Sequence, residues 1–474
     1  KLHCCSKLRD FVFKYEDLLG KEIWDVLDEE IQQDPGAFLS AINSYASRKG
    51  NLPIYLLIDE YDNFTNTILS TYGTEYYQKA THGEGFVRGF FNVIKAATTG
   101  TGSALQRMFI TGVSPVTMDD VTSGFNIGTN ITTDPWFNDL VGFSEAELRE
   151  MLTYYKEQGV LMQTVDETIV MMKPNYDNYC FSEEKLAQCM FNSDMALYFM
   201  KSFVLHHVKP KEIVDPNIRT DFNKLAYLIR LDHGLGENFS VIKEIAEQGE
   251  ITTDIATHFS ALEMTDVRNF KSLLFYFGLL SIKGVDMVGR PILHVPNLVV
   301  REQLFSFLIR GYIKHDIFKI DMNRMTMLFE NMAFRGDWKP LFNFIAEAIR
   351  EQSRIREYIE GEAHIKGFLL AYLGMYRYYQ LYPEYELNKG FADFLFKPSP
   401  SVPVMPPLTY LLEVKYAKAG TSEKEIRALA DEAREQLLRY SQDELVAEAK
   451  AKGGLKLITI VWCSWELVLL VEVL

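Results

Sequence analysis

Two short apolar segments near the C-terminus, each broken by isolated charge, constrain this chain most. The first is Gly390-Phe391-Ala392-Asp393-Phe394-Leu395-Phe396, and the second is Tyr410-Leu411-Leu412-Glu413-Val414-Lys415. Runs of this kind fold as strands, whose side chains alternate between faces, so Glu413 and Lys415 share one face while Leu412 and Val414 point into the core. Pairing of the two strands brings Asp393 beside Glu413. Two carboxylates converging at a sheet edge make a hard oxygen site for Mg²⁺ or Mn²⁺, where an adjacent ammonium can orient or activate water. Those are the parts that phosphodiester hydrolysis needs.

Glu-x-Lys alone is a weak pattern, and Glu183-Glu184-Lys185 and Glu448-Ala449-Lys450 repeat it in polar, helical surroundings. A partly solvated strand face would carry the same letters. The surrounding order favours the first reading. Residues 353–380 are expected to form a helix, with apolar positions at Ile355, Tyr358, Ile359, Phe368, Leu369, Tyr372 and Leu373. Residues 421–452 are expected to be helical from an N-cap at Thr421 or Ser422, with Glu423 and Glu425 in the first turn, to Gly453-Gly454. Leu455–Val461 and Leu467–Val473 read as two strands joined by a short turn.

With the run Glu384-Tyr385-Glu386-Leu387-Asn388-Lys389-Gly390-Phe391-Ala392-Asp393 and the later Gln436-Leu437-Leu438-Arg439-Tyr440, this order resembles the PD-(D/E)XK nuclease superfamily. More narrowly, it resembles the C-terminal domain of bacterial proteins that join this restriction-endonuclease-like fold to an AAA-ATPase-like domain. The resemblance implies catalytic positions at Asp393, Glu413 and Lys415, with one or two Mg²⁺ or Mn²⁺ ions on Asp393 and Glu413. It places Gln436 and Tyr440 at accessory helix positions facing the metal or the nucleic-acid backbone. Glu362 and Glu386 are candidates for an outer metal ligand. The superfamily's Pro before the Asp is replaced by Ala392.

A chain of 474 residues exceeds one compact core and suggests two or three domains. Its formal net charge of −15 argues against a general nucleic-acid coat, so contact with DNA or RNA has to come from a local basic patch. Lys389, Lys397, Lys415, Lys418, Arg427, Arg434 and Arg439 would supply one, or would form a solvated face balanced by neighbouring glutamates. Cys4, Cys5, Cys180, Cys189 and Cys463 follow neither metal nor disulfide spacing, which points to a reducing compartment. No signal peptide opens the chain, and Lys456, Glu466 and Glu472 interrupt its apolar end. A soluble, cytoplasmic protein without a membrane partner is expected, with nucleic acid, DNA before RNA, as partner and self-association left open.

In the first part, Leu52-Pro53-Ile54-Tyr55-Leu56-Leu57-Ile58 runs into Asp59-Glu60. A buried parallel strand delivers carboxylates in this way to the C-terminal edge of an α/β sheet. In P-loop ATPases the motif is Walker B, whose Asp holds the nucleotide's Mg²⁺ and whose Glu polarises water. An ordinary strand with an acidic turn would share the pattern. A second strand, Arg107–Ile110, ends at Thr111, the candidate sensor. Leu57–Asn63 and Asp119–Ile127 resemble the same AAA-ATPase-like family.

A Gly-x-x-x-x-Gly-Lys-Ser/Thr loop is not found, and Gly100-Thr101-Gly102-Ser103 lacks the spacing and the lysine. The expectation is that the sequence begins after this loop, which leaves ATP binding open. Residues 143–210 are expected to form helices over the sheet, Asp215-Pro216-Asn217 a break, and the strands at 279–284 and 291–296 a winged-helix-like hairpin. The expected architecture is α/β and multidomain. An AAA/P-loop-like parallel sheet with helical lid spans 1–215, a helical, winged-helix-like region 216–335, and a PD-(D/E)XK nuclease fold 336–474. The rival to a gated nuclease is a non-catalytic, nucleotide-responsive switch or scaffold.

Overall fold

The computed structural model describes residues 1–50, 52–63, 67–68, 72, 74–83, 85–99, 102–116, 128–206, 210, 237–314, 319–352, 355–356, 359, 361–376, 378–387, 390–399, 402 and 404–473. The stretch Asp119–Ile127, the break at Asp215-Pro216-Asn217 and Lys389 lie outside the described residues. The fold is mixed α/β, in two compact units: residues 1–134 with 254–278, and residues 135–253 with 279–474. Among the described residues no helix is long and apolar enough to cross a membrane.

In the first unit, helix α1 (Pro35–Gly50) and helix α2 (Phe86–Thr99) pack with a parallel pair of strands, β1 (Ile54–Ile58) and β2 (Leu105–Ile110). Phe38, Ile42, Ala46, Ile54 and Leu105 form its core. The expected buried strand is not found. β1 has one neighbour among the described residues, and Tyr55 and Leu57 remain 63% and 76% exposed. An apolar run fixes the strand but not the number of strands beside it.

The second unit holds two sheets. The smaller is antiparallel in the order β3 (Glu250–Thr252), β5 (Pro291–His294), β4 (Ser281–Val285), so the hairpin expected over 279–296 is present with an added strand. Ser144 caps the helix Glu145–Glu157, as its sequence predicts, with Glu147 closing the capping box. Tyr179 and Met190 form an antiparallel bridge. Beside it the Cys180 thiol donates to the Ser182 carbonyl at 3.2 Å and the Cys189 thiol to the Leu186 carbonyl at 3.5 Å, and the neighbouring Cys189 pulls the Cys180 thiol down to about 7, a proximity that spacing alone does not reveal.

The larger sheet has the order β10-β9-β8-β7-β6. Its strands are β6 (Tyr379–Leu387), β7 (Gly390–Pro398), β8 (Thr409–Ala417), β9 (Leu455–Cys463) and β10 (Glu466–Glu472). Only the β8–β9 pair is parallel; the others are antiparallel. β8 and β9 are almost wholly buried, which matches their Leu-, Ile- and Val-rich runs.

Three helices frame this sheet. Helix α3 (Glu362–Leu373) is shorter than the expected 353–380: it stops at Gly374, where a Cβ would meet the Phe305 ring at 2.3 Å, and β6 begins at Tyr379. The expected single helix over 421–452 is two. Helix α4 (Glu423–Tyr440) starts in a Ser422–Glu425 capping box, and helix α5 (Glu444–Ala451) restarts with Asp443 bonding the Leu445 N–H. Leu437 and Tyr440 of α4 pack with Leu395, Leu411 and Leu457 of the sheet. In β8 and β9 the face carrying the odd-numbered residues is therefore the one α4 covers.

Candidate metal centre

The register of the larger sheet creates the site. β7 pairs with β8 through Phe394–Leu412, Leu395–Leu411 and Phe396–Tyr410. Asp393 opposite Glu413 would be the next pair, and there the ladder ends. Asp393 uses Oδ2 to accept the Val414 N–H at 2.6 Å, so a side chain takes over where backbone pairing stops. On its other side β7 pairs with β6 through Pro383–Phe394 and Tyr385–Ala392, skipping Glu384–Asp393. Glu384 stands at φ +43°, in the left-handed region that a non-glycine residue enters at a cost of about 1–3 kcal/mol. Three carboxylates thus lie in one row across three strands: Glu384, Asp393 and Glu413.

Two lysines divide this row. Lys415 Nζ lies 3.2 Å from Glu413 Oε1 and 3.4 Å from Glu432 on α4. Lys366 of α3, which the sequence analysis missed, is paired with Asp393 and reaches Glu362 at 2.9 Å and Glu384 at 3.1 Å. Glu362, expected as an outer ligand, joins the cluster through this lysine. Glu386 is exposed in the β6–β7 ladder opposite Phe391; Glu384, two residues earlier, is the β6 acid that reaches the cluster.

Asp393 and Glu413 are only 4% and 2% exposed. Burial pushes the Asp393 carboxyl up to about 6, against the pull of Lys366 and the Val414 N–H. Burial, with repulsion from Asp393, pushes Glu413 up to about 7 although Lys415 opposes it. Burial works against the charge on both lysines, yet Asp393 holds Lys366, and Glu413 holds Lys415, above the ordinary lysine value.

The donors present fit a hard divalent cation. Glu413 Oε2 is buried without a hydrogen-bond partner among the described residues, and so are Gln436 Oε1 and Thr459 Oγ1. Thr459 is the β9 residue registered with Glu413, and Gln436 lies one helical turn beyond Glu432. A buried acceptor left unmatched costs about 1–3 kcal/mol, more when charged, and a cation would recover it. Among the described residues no three imidazole, thiolate or carboxylate groups are arranged to hold a metal; Asp393, Glu362 and Glu384 instead share the Lys366 ammonium. Tyr440 sits apart in the core against Gly390, where a Cβ would meet its hydroxyl at 2.6 Å.

In the first unit Thr111 and Asp59 are brought together: the Thr111 hydroxyl donates to Asp59, and the Thr111 N–H bonds the Ile58 carbonyl at 2.8 Å. Glu60 stands at φ +50° and accepts from Asn63 at 2.9 Å. Both acids are exposed; the buried one is Asp62, fully enclosed and accepting from Val113 N–H at 3.0 Å and Ser114 N–H at 3.1 Å. Gly112 lies under the Tyr61 ring, where a Cβ would stand 2.2 Å from a ring carbon.

Comparison with known families agrees with this division. Residues 360–472 match the PD-(D/E)XK nuclease superfamily, which makes this region a nuclease-type domain. Residues 1–122 match a family described as predicted AAA-ATPase, so the chain joins an AAA-ATPase-like region to a nuclease-superfamily domain. No curated protein and no solved structure gives a significant match.

Proposed function

We propose that this protein is a metal-dependent nuclease that hydrolyses phosphodiester bonds, with DNA favoured over RNA. The observation that carries the reading is the Asp393–Glu413 pair: two buried acids at a break in the ladder, one with an unmatched oxygen, beside Lys415. Asp393 and Glu413 would hold Mg²⁺ or Mn²⁺. When bound, the ion supplies Lewis-acid stabilisation of the phosphate and an activated water. Lys415, kept protonated by Glu413, would orient the attacking water and stabilise negative charge building on the phosphoryl group. Gln436 presents a free acceptor on the same side of the sheet, and Tyr440 steadies α4 against the start of β7. Exposed Lys397, Lys418 and Arg434 supply local positive charge for a polyanion in a chain of net charge −15. Arg427 is already paired with Glu423 at 2.6 Å.

The same reading assigns residues 1–215 to the ATPase-like part, with Asp59 and Glu60 as its Walker B acids and Thr111 as its sensor. It assigns 216–335 to a winged-helix-like region and 336–474 to the nuclease, with the ATPase-like part gating access. The order helix, β3, helix, β4–β5 hairpin supports the middle assignment.

The test is cleavage of plasmid, single-stranded DNA and RNA in Mg²⁺ or Mn²⁺ and in EDTA, with Lys415→Ala alongside. Cleavage that needs the metal and falls at least about 100-fold in the variant is the expected result. Undiminished cleavage by a folded Lys415→Ala variant would overturn the assignment. Absence of cleavage on every substrate would favour the nucleotide-responsive switch.

A further inference from the structure

We propose that Lys366 is a resident cation of the acidic centre, filling the place a second divalent ion would take, so that the site binds one metal ion. The inference rests on the metal-site reading of Asp393 and Glu413 and goes beyond it. Lys366 is paired with Asp393 and stands 2.9 Å from Glu362 and 3.1 Å from Glu384. Its side chain is 19% exposed and that of Asp393 5%, so this pair forms largely out of water, while Glu362 and Glu384, at 38% and 50%, reach the ammonium from the solvent side. Three carboxylates on one ammonium is the coordination a hard cation would otherwise receive there.

Two features show that this arrangement is built in. Glu362 and Lys366 are four residues apart on α3, which brings both side chains to one face of the helix. Glu384 reaches the lysine through a left-handed backbone at a skipped rung of the β6–β7 ladder, so the sheet departs from regular pairing where this contact is made.

Charge balance gives the stoichiometry. Fully ionised, Glu362, Glu384, Asp393 and Glu413 carry four negative charges, and Lys366 and Lys415 return two positive ones. Glu432 is more than half exposed and screened by water. One divalent ion neutralises the remaining two charges, whereas two ions would leave an excess of two positive charges beside Asp393 and Glu413, the two acids that are almost wholly buried. The ion belongs on the Glu413 side, where Oε2 is unmatched, because the Glu362–Glu384 side already holds its cation.

The test counts Mn²⁺ ions bound per full-length chain, from the free-ion paramagnetic resonance signal, in wild type, Lys366→Gln, Lys366→Met and Lys366→Arg. Wild type is expected to bind one ion. Lys366→Gln and Lys366→Met are expected to bind two, or one at least about tenfold more tightly, and Lys366→Arg to stay within about threefold of wild type. Two ions in wild type overturn the proposal with no variant needed. Unchanged stoichiometry and affinity in a folded Lys366→Gln or Lys366→Met chain overturn it as well. Binding only after the lysine is removed overturns it too, since wild type would then bind no ion where one is expected. Failure of wild type and both neutral variants to bind any Mn²⁺, with intact thermal unfolding, would sink the metal-site reading and this inference together.

Discussion

Asp62 and Glu413 are both buried acids close to a sheet, and they are buried in opposite ways. Asp62 is enclosed near the end of β1 and receives the Val113 and Ser114 N–H groups and the Ser114 hydroxyl. Glu413 is enclosed in the central strand of a five-stranded sheet, beside a second carboxylate, with one oxygen unmatched. A buried charge supplied with N–H donors ties a loop together. One that is incompletely supplied stores unfavourable energy unless something else binds there. Degree of satisfaction, more than burial, separates the structural acid from the candidate functional one.

The sharpest way to break this contrast is Glu413→Gln. Cleavage is expected to fall by about two to four orders of magnitude. Metal-free stability at pH 8 is expected to rise by about 1 kcal/mol, because a buried carboxylate facing Asp393 becomes neutral. Cleavage rates and urea unfolding in EDTA read the two effects, and a loss of stability would place Glu413 with Asp62. Asp62→Asn should do the reverse, lowering stability by about 2–3 kcal/mol, since an amide cannot accept through both positions. Urea unfolding followed by a probe in the first unit measures it, and an unchanged midpoint would deny the loop-tying role.

The pH dependence is the next effect expected. Asp393 and Glu413 have folded pKa values of about 6 and about 7, above the usual 3.9 and 4.3 of an unfolded chain. Between these limits the folded state holds more protons at these two groups than the unfolded one, so the pair's contribution to metal-free stability is fullest below about pH 4 and is lost as pH rises through about 6 to 7. The expected fall is about 1–3 kcal/mol by urea unfolding in EDTA, and it should shrink in Glu413→Gln. An identical slope in that variant would move its origin elsewhere.

Much of the larger sheet was legible in sequence. The alternation of Glu413 and Lys415 around Val414, the β-type run ending in Asp393, and the Ser422–Glu425 start of α4 are local signals, and each lies where its spacing predicts. Lys366 and Glu384 were hidden for a physical reason. Their meeting depends on a skipped rung and a left-handed residue, neither of which periodicity encodes. The restart at Asp443 was masked by a polar, helix-favouring stretch, and β6 by Pro383 and the tyrosines around it. In the first unit the apolar letters of β1 placed a strand correctly, but exposure of Tyr55 and Leu57 depends on neighbours that a strand's own residues do not specify.

The Val414 N–H donates to the Asp393 carboxylate instead of to a neighbouring strand. Its exchange with solvent deuterium is therefore governed by what that carboxylate is doing, while the amides around it report on opening of the sheet. A single amide proton within β8 becomes a built-in gauge of the centre, readable without substrate and without any label.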